Sequence, residues 1–571
     1  QQQGWEREEI MAGLANVLPK NIWLYVVQEP NLRRLGRTFV LQGGTQYNLA
    51  AVKAQYDFIK SRVPDAIIHV HKYTGESGAI GAALEAIRIV GDGKTGFIGL
   101  DAADGISFNA LRSESTRCNF CQNNCQRTFI DIEASSAQHS KRYIIATCEK
   151  GTVEDIKDVQ AIKKKADSLK KMYPDLSEIA AKEVFKSRIS EEAVGKEILK
   201  QVQNDRAGIR IGIPRTLNMY SVAPFFIAYF EKAGVPYKNI IFSDYTDEKM
   251  YKEGSRRGAI DACFPSKVAL SHIHNLLYGK KVKPDVIFFP MLLDLPSEIK
   301  ETIASSACPT VAATPEVVKA AFTKEEDLFA KHGLRFLAPH LNMGEPDLFE
   351  QQMYLFGSKL FGLSKRENRN AMEAGFNALI NYTNNMRQKG KEILQRLEKE
   401  GKVGVVVLGR PYHNDPGLNH EILSEIQKYG YPIFTVESLP ADDDMLNRLF
   451  GEEIRRGEIG HPMEIADVWK NSYSENTNKK LWGTKYAARH PNLVAVDLSN
   501  FRCGHDSPIY AVVEEILSAT QTPYFTFHDI DENRPSGSIK IRVETIHYFL
   551  QRYEEELRKN ETNCTTLQET Y

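Results

Sequence analysis

The stretch Asp261-Ala262-Cys263-Phe264-Pro265-Ser266-Lys267 leads directly into the apolar run 268–277. The run predicts a helix, so Cys263 would lie at the positive end of a helix dipole, which favours the thiolate form that binds metals. Two other isolated cysteines have the same setting. Cys308 ends a loop before a helical run, and Cys503 lies in a polar turn before another.

These three cysteines are each predicted to lie where a strand gives way to a helix. The carboxyl ends of parallel strands meet at one edge of a sheet, so the three thiols could converge on a single iron–sulfur cluster. The competing interpretation is that each is a small buried apolar residue, as unpaired cysteine often is.

The composition restricts the class of protein. The chain has 571 residues, enough for about three to four domains. Its 73 basic and 74 acidic residues nearly cancel, which argues against nucleic acid or an acidic membrane as a partner. No long apolar run or signal peptide is evident, which indicates a cytoplasmic protein. Eight cysteines in such a chain suggest metal ligands and not a disulfide framework.

A compact cysteine array is the most specific local signal. Cys118, Cys121 and Cys125 follow a Cys-x2-Cys-x3-Cys pattern, and Cys148 lies beyond a predicted strand at 142–147. Four thiolates can hold one tetrahedral ion or a cubane. The sequence leaves open a 4Fe–4S cluster, a structural zinc ion and unliganded thiols, and we favour iron because of the other predicted redox features.

Near the amino terminus two glycine-rich turns follow predicted strands. The first contains Gly43, Gly44 and Thr45 and ends at Asn48; the second spans residues 75–86. Paired glycines after a strand allow a nucleotide to approach the backbone, although one such turn alone is weak evidence.

Alternation of strands and helices gives the predicted organisation. The fold class is α/β, with two doubly wound, Rossmann-like halves and a helical insertion, preceded by a four-cysteine module and, before that, a segment that resembles half of an actin-like ATPase fold. The predicted segments are an ATPase-like segment (1–112), the cysteine module (113–150), a helical linker (151–205), the first half (206–314), the insertion (315–400), the second half (401–558) and a polar tail (559–571) that carries Cys564.

Two polar turns in the second half are candidates for catalytic groups. Arg410 and His413 belong to a dense polar loop after a buried strand, where they could donate hydrogen bonds to a cluster pocket. His505 and Asp506 adjoin Cys503 and could donate protons or bind cluster sulfur. Plain turn and helix-capping roles explain both loops equally well.

The two glycine-rich turns together resemble the second half of the acetate-kinase, sugar-kinase and actin-like ATPase superfamily, and more closely the activator ATPases of 2-hydroxyacyl-CoA dehydratases. This resemblance covers about residues 20–112. It implies that Gly43, Gly44, Thr45 and Asn48 contact adenosine. The first half of such an ATPase is expected before residue 1, so this segment is not expected to hydrolyse ATP by itself, and ATP or ADP is the cofactor implied together with that missing half.

Residues of about 209–545 resemble the 2-hydroxyacyl-CoA dehydratase and benzoyl-CoA reductase component family, which includes double-cubane cluster proteins. The resemblance is carried by Cys263, Cys308, the turn 502–507 and the helix start Arg542-Val543-Glu544. With the ATPase-like front, the chain resembles the carboxyl-terminal part of long activase-related fusion proteins of anaerobes.

The resemblance implies ATP-driven delivery of low-potential electrons. Cys263, Cys308 and Cys503 would hold a 4Fe–4S cluster, or half of a double-cubane 8Fe–9S cluster shared by a homodimer, and the four amino-terminal cysteines would relay electrons through a 4Fe–4S cluster. The implied partners are an ATP-dependent activator reductase and a low-potential donor such as ferredoxin.

Three functions therefore remain open at this point. The first is a redox enzyme that reduces a substrate at its cluster. The second is a factor that activates or assembles a partner metalloenzyme, and the third is a structural zinc protein that binds a nucleotide.

Overall fold

The computed structural model describes residues 6–21, 23, 32–91, 93, 99–120, 124–134, 141–146, 149–188, 206–258, 263–501, 503–533 and 536–568. The chain divides into two compact units, Gln1–Ala166 and Asp167–Tyr571, which are called unit 1 and unit 2. The predicted strand at residues 24–27 lies outside the described residues.

The described helices are α1 (Arg7–Asn21), α2 (Leu49–Arg62), α3 (Ser77–Val90), α4 (Leu100–Asp104), α5 (Ile156–Met172), α6 (Leu176–Glu183), α7 (Met219–Lys232), α8 (Glu248–Gly254), α9 (Phe264–His274), α10 (Pro309–Thr323), α11 (Leu328–Lys331), α12 (Pro346–Phe361), α13 (Lys365–Glu400), α14 (Ile422–Gln427), α15 (Asp443–Arg456), α16 (Glu475–Arg489), α17 (Tyr510–Ala519) and α18 (Ser536–Gln568). The described strands are β1 (Thr38–Leu41), β2 (Ile67–Val70), β3 (Ile106–Leu111), β4 (Thr128–Ala134), β5 (Lys141–Ile145), β6 (Ile211–Ile213), β7 (Ile240–Phe242), β8 (Val286–Phe288), β9 (Met291–Asp294), β10 (Arg335–Leu337), β11 (His340–Asn342), β12 (Gly404–Leu408), β13 (Ile433–Thr435), β14 (Leu493–Asn500) and β15 (Tyr524–Ile530).

Unit 1 contains a parallel strand pair and an antiparallel sheet. Strands β1 and β2 pair in parallel, with Thr38 opposite Ile67. Helix α2 packs beside them and supplies Phe58 and Ile59 to a small core with Phe39. The antiparallel order β3-β4-β5 is formed by the segment that also carries the four-cysteine array.

Unit 2 is built on two four-stranded parallel sheets. The strand orders are β10-β8-β6-β7 and β13-β12-β14-β15. In both sheets, the second strand along the chain lies at one edge and the first lies next to it. The third strand is added on the other side of the first, so the strand order switches direction between the first and third strands. Ligands of open parallel sheets bind outside the carboxyl ends at such a switch point. The predicted α/β class with parallel sheets is confirmed here, and the assignment of two Rossmann-like halves stays a prediction.

The core of unit 2 is organised by helix α7, in which Phe225, Phe226, Tyr229 and Phe230 are all fully buried. The long helix α13 packs against it, and a side chain at Gly375 would collide with the Phe225 ring at 2.7 Å. Each fully buried aromatic ring contributes about 2–3 kcal/mol through removal of apolar surface from water. Among the described helices none is long and apolar enough to cross a membrane.

The structure differs from the predicted segments in two places. Residues 315–400 were expected to be a helical insertion, but strand β10 lies within them and completes the first parallel sheet. A strand of three residues is too short to show an alternating pattern. The polar tail at 559–571 was expected after a helix ending near residue 558, yet α18 continues to Gln568.

Candidate functional site

Two of the three predicted cysteine ligands begin helices of unit 2. Cys263 precedes the first residue of α9, and Cys308 precedes the first residue of α10. Both side chains are half-buried. The N–H groups of a first helical turn have no partner within the helix, so the positive ends of two helix dipoles lie at these cysteines.

Cys503 lies in the turn that joins β14 to α17 and is also half-buried. Burial has the largest effect on the pKa of its thiol and raises it, and the Asp506 carboxylate raises it further. The Arg410 guanidinium and the backbone N–H groups of Asp506 and His505 act in the opposite direction. The sulfur therefore has groups beside it, the Arg410 guanidinium and two backbone N–H groups, that favour its thiolate form.

The tertiary structure places Cys308 and Cys503 within electrostatic range of Cys263. Burial raises the pKa of the Cys263 thiol most, Ser266 lowers it through its hydroxyl and backbone N–H, and the nearby Cys308 and Cys503 raise it further. Such Coulomb effects act only between neighbouring groups. Across the described residues, however, no three His, Cys, Asp or Glu side chains are arranged to hold a metal ion. The cluster ligand set consequently stays a prediction.

A buried ion network lies behind Cys503. Arg410 Nη2 donates to Asp506 Oδ1 at 2.7 Å, and both side chains are about 1 % exposed. Lys480 Nζ lies 3.5 Å from Asp506 Oδ2 and 2.5 Å from Asp497 Oδ1. Burial alone would raise the pKa of Asp506, but Arg410 and Lys480 hold it far below its ordinary value. Asp506 is thus a permanent carboxylate, which favours a role in holding Arg410 over the predicted role of proton donor.

Arg410 also has donors that the network does not use. Its Nε and Nη1 atoms are buried and have no hydrogen-bond partner among the described residues. The guanidinium lies near the Cys503 sulfur, and Tyr412 of the same loop lies near both Cys263 and Cys503. A buried guanidinium with two unpartnered nitrogens, which carry three N–H bonds, strongly favours an anionic neighbour.

This arrangement provides a test of whether the predicted cluster fits. An iron–sulfur cluster bound by thiolates is a negatively charged, sulfur-rich group. Cys263 and Cys308 each lie at a helix N-terminus, and the Arg410 guanidinium with its vacant donors acts on Cys503, so each of the three cysteines has positive potential beside it. The residues therefore fit such a group in charge and donor chemistry.

His413 belongs to the same loop, and its side chain is fully buried. Its Nδ1 accepts a hydrogen bond from the Arg410 backbone N–H at 3.0 Å, and its Nε2 lies 3.2 Å from the Asn500 side-chain amide. Burial lowers its pKa to about 4, so the ring is neutral at neutral pH. Since Nδ1 is an acceptor, Nε2 carries the proton, and the Asn500 amide accepts it with its side-chain oxygen. His413 therefore stabilises the loop through its hydrogen bonds to the Arg410 backbone and the Asn500 side chain.

His505 lies at the edge of the site and is half-buried. Its Nδ1 lies 3.1 Å from the Ser474 hydroxyl, directly before α16. Burial is the main cause that lowers its pKa, and Arg410 lowers it further. Of the four residues predicted to be catalytic, His505 is the most accessible, and its proton-donor role stays a prediction.

The four-cysteine array is described only in part. Cys118 is buried, Cys125 is half-buried, and the Cys118 backbone N–H donates to the Cys125 carbonyl at 3.0 Å. Cys121 and Cys148 lie outside the described residues, so the iron and zinc interpretations of this array both stay predictions.

The first glycine-rich turn of unit 1 has the backbone that its sequence requires. Gly43 adopts φ +101°, a conformation that side chains disfavour, and its N–H donates to the Thr74 carbonyl at 2.8 Å. Gly44 and Thr45 form the short 3-10 turn that follows. Asn48 accepts hydrogen bonds from the N–H groups of Ala50 and Ala51, so its side chain caps α2. The predicted adenosine contacts of these residues remain untested.

Several residues of the site were not predicted from the sequence. Lys480 and Asp497 are fully buried, and Ser499 Oγ donates to Asp506 Oδ2 at 2.8 Å. Charged residues in a helix such as α16 usually lie on its solvent face. Only contacts between distant segments place Lys480 inside, so no local signal could have identified it.

Comparison with known protein families gave two matches. Residues 210–439 match the model of the CoA enzyme activase uncharacterised domain (DUF2229). Residues 1–86 match the BadF/BadG/BcrA/BcrD ATPase family. No match was found among curated proteins.

The two matches confirm the activase-related part of the predicted resemblance, because the chain joins a segment similar to an ATPase family to a segment similar to a CoA enzyme activase domain. The actin-like character of the amino-terminal segment is consistent with the ATPase match. Membership of the dehydratase component family is addressed by neither match and stays a prediction.

Proposed function

We propose that this protein is an iron–sulfur electron-transfer protein of an ATP-driven activator system. The observation that supports the proposal is that the Cys263 thiol is influenced electrostatically by Cys308 and Cys503, and that the buried Arg410 guanidinium, which acts on Cys503, has two nitrogens without a partner among the described residues. The similarity to a CoA enzyme activase domain and to an ATPase family supports the activator part.

In this proposal the three thiolates hold the cluster and the surrounding residues tune it. The bound cluster supplies reversible one-electron transfer at low potential. The unpartnered Nε–H and Nη1–H groups of Arg410 would donate to the bound group and stabilise added negative charge, and Asp506 holds the guanidinium through its hydrogen bond to Nη2. Tyr412 excludes water from the site, and His505 is the accessible proton donor for a proton-coupled step.

Unit 1 would couple the site to ATP. We propose that Gly43, Gly44 and Thr45 contact adenosine of ATP or ADP when a complementary ATPase half is present, and that Cys118, Cys121, Cys125 and Cys148 hold a relay cluster. Hydrolysis then drives one electron from a reduced ferredoxin-like donor, which is oxidised by one electron, to the cysteine site of unit 2. The positive φ of Gly43 supports a close backbone approach.

Two electron acceptors are compatible with this proposal. One is a partner metalloenzyme of the dehydratase type, which the description of the activase domain favours. The other is a small substrate reduced at a double-cubane cluster in a homodimer, which the predicted resemblance to dehydratase components favours.

Iron and acid-labile sulfide analysis of the anaerobically purified chain, combined with EPR, tests the cluster. We expect about eight irons per chain, from the relay cluster and the site of unit 2. The Cys263→Ala variant should lose about half of the iron, and the Cys564→Ala variant, which changes the tail cysteine, should lose none. One zinc and no iron per chain would overturn the redox proposal in favour of a structural zinc protein.

Turnover assays distinguish the two acceptors. With a reduced donor, ATP and an activator ATPase, reduction of a small molecule by this chain alone identifies an enzyme. Reduction that requires an added dehydratase-type metalloenzyme identifies an activator, and no electron transfer to either acceptor contradicts both.

A further inference from the structure

A series of buried hydrogen bonds links helix α9 to the loop 410–417. His272 of α9 is fully buried, and its Nε2 atom lies 3.1 Å from the Thr246 hydroxyl. Thr246 Oγ1 donates to Asp415 Oδ2 at 2.9 Å. On the other side of the ring, His272 Nδ1 lies 2.8 Å from the hydroxyl of Ser243, which directly follows β7. All four side chains are buried, and together they are called the His272 network.

The direction of each hydrogen bond in this network follows from its two ends. The Thr246 hydroxyl donates to Asp415, so its oxygen must accept from His272 Nε2–H. Ser243 Oγ accepts from the Arg215 backbone N–H at 2.8 Å, which leaves the Ser243 proton for His272 Nδ1. Burial lowers the pKa of His272 to about 3, so the ring is neutral near neutral pH. A neutral ring with one donor and one acceptor satisfies both neighbours at once.

Asp415 makes the position of the loop depend on Thr246. The carboxylate accepts hydrogen bonds from the Tyr220 hydroxyl, the Gly417 backbone N–H, and both the backbone N–H and the hydroxyl of Thr246. Burial raises the pKa of Asp415, whereas these hydrogen bonds lower it. A buried carboxylate is costly unless donors satisfy it, so the loop is stable only where Thr246 reaches it.

Two further contacts hold the loop in the same place. A Cβ atom at Gly417 would lie 2.3 Å from the Thr246 carbonyl oxygen, so the backbones approach more closely than a side chain would allow. Just beyond the loop, the His420 ring meets the edge of Phe264, the first residue of α9, with the ring centroids 5.8 Å apart. The loop region is therefore held at the first residue of α9 and, through His272, near its last turn.

We propose that Thr246, His272 and Asp415 are positioning residues that hold the loop 410–417 against α9 and so set how far the Cys263 thiol is exposed. Cys263 directly precedes α9, and the buried Tyr412 of the loop lies within its electrostatic range. Loss of the His272 network should let the loop move away from α9 and expose this thiol. The inference concerns the protein around the thiol and holds whether or not Cys263 binds a cluster.

The alkylation rate of Cys263 tests the proposal. The full chain is freed of bound metal with a chelator, kept reduced and treated with iodoacetamide near neutral pH, and mass spectrometry of its peptides gives the rate at each cysteine. Cys308 precedes a different helix, α10, and is the internal reference, because global destabilisation would accelerate both thiols alike. Thr246→Val keeps the side-chain shape and removes the hydroxyl. We expect it to raise the ratio of the Cys263 rate to the Cys308 rate about fivefold, as for one hydrogen bond.

Two variants of His272 form a matched pair. His272→Gln places an amide N–H near the position of Nε2, can still donate to Thr246 and should keep the wild-type ratio. His272→Asn is too short to reach Thr246 and should raise the ratio as Thr246→Val does. Thr383→Val of α13 removes a hydroxyl that donates only to its own helix, and this control should leave the ratio unchanged.

Circular dichroism and urea unfolding establish which variants are folded, and His272→Asn replaces Thr246→Val should the latter fail to fold. An unchanged ratio in both of these variants, or equal acceleration of Cys263 and Cys308, would overturn the proposal. A ratio raised equally by His272→Gln and His272→Asn would also refute it, since the hydrogen bond to Thr246 would then be irrelevant.

Discussion

Arg410 and Asp506 are 96 residues apart in the chain and form an ion pair of 2.7 Å with both side chains almost fully buried. Lys480 Nζ lies 3.5 Å from the other carboxylate oxygen of Asp506. One carboxylate therefore partly neutralises the charges of two buried cations. The pair fixes the loop after β12 relative to the turn after β14, which are the neighbouring strands of the second parallel sheet. The cysteine site depends on this connection.

Replacement of Asp506 by asparagine should strongly destabilise unit 2. The change leaves Arg410 and Lys480 without their shared charge, and loss of one partner of a buried pair typically costs about 3–5 kcal/mol. Because the folded-state pKa of Asp506 is lowered, its contribution is fully present at pH 7 and declines only as the pH falls below the ordinary aspartate range. Urea unfolding at pH 7 measures the effect. Glu326→Gln, in the exposed pair with Lys331, is the control and should leave the free energy of unfolding unchanged. Equal stabilities of Asp506→Asn and the wild type would show that the pair is dispensable.

If unit 2 holds the proposed cluster, replacement of Arg410 by glutamine should retain the iron but lower the reduction potential of the cluster. The variant removes a positive charge near Cys503, and one charge-assisted hydrogen bond, typically about 1.5–3 kcal/mol, corresponds to a shift of about 65–130 mV for one electron. EPR-monitored potentiometric titration measures it. Arg410→Lys keeps the charge and should shift the potential less. An unchanged potential in the glutamine variant would mean that Arg410 does not contact the redox group.

Glu475 should make the stability of unit 2 decrease with rising pH. Burial is the main cause that raises its pKa from 4.5 to about 7. The native state therefore holds its proton more tightly than the unfolded chain, and the stabilisation present below pH 4.5 is lost as the pH rises through 7. We expect the wild type to lose roughly 2–3 kcal/mol more than Glu475→Gln between pH 5 and pH 8. Unfolding curves at both pH values give this difference, and parallel losses in the two proteins would contradict it.

Two helical glycines should respond to alanine in opposite directions. A Cβ atom at Gly390 of α13 would lie 1.8 Å from the Ser438 carbonyl oxygen, so Gly390→Ala must displace backbone and should cost about 3 kcal/mol or more. At Gly451 of α15 the nearest atom is the Asn447 Cβ at 4.0 Å, and alanine should stabilise by about 0.5–1 kcal/mol. Thermal and urea unfolding compare the pair, and a stabilised Gly390→Ala variant would show that the two segments are not in contact.

Variants of Asn48 distinguish a helix-capping role of this residue from a nucleotide-binding role. Asn48→Ala removes the acceptor for the Ala50 and Ala51 N–H groups and should destabilise unit 1 by about 1 kcal/mol, whereas Asn48→Asp preserves the cap. Nucleotide binding, measured with the complementary ATPase half present, should be equal in the aspartate variant and the wild type if Asn48 acts only as a cap. Weaker binding in the aspartate variant would support the predicted adenosine contact.

The sequence by itself determined the local parts of this protein. Buried β-branched runs such as 404–408 predicted parallel strands, because such runs are apolar throughout when both faces are covered. The positions of Cys263 and Cys308 directly before helices were also legible, since the following residues carry helical signals. The glycine pair at Gly43 and Gly44 predicted a special turn, and the positive φ of Gly43 agrees with it.

Only the tertiary structure decided which of these parts meet. The short strand β10 and the buried charge of Lys480 follow from contacts between distant segments, and a single sequence contains no local pattern for either. The vacant Arg410 donors and the His272 network arise in the same way. Periodicity records which face of an element is apolar, but pairing between faces is a property of the whole packed chain, and that pairing determines the charge and shape of the site.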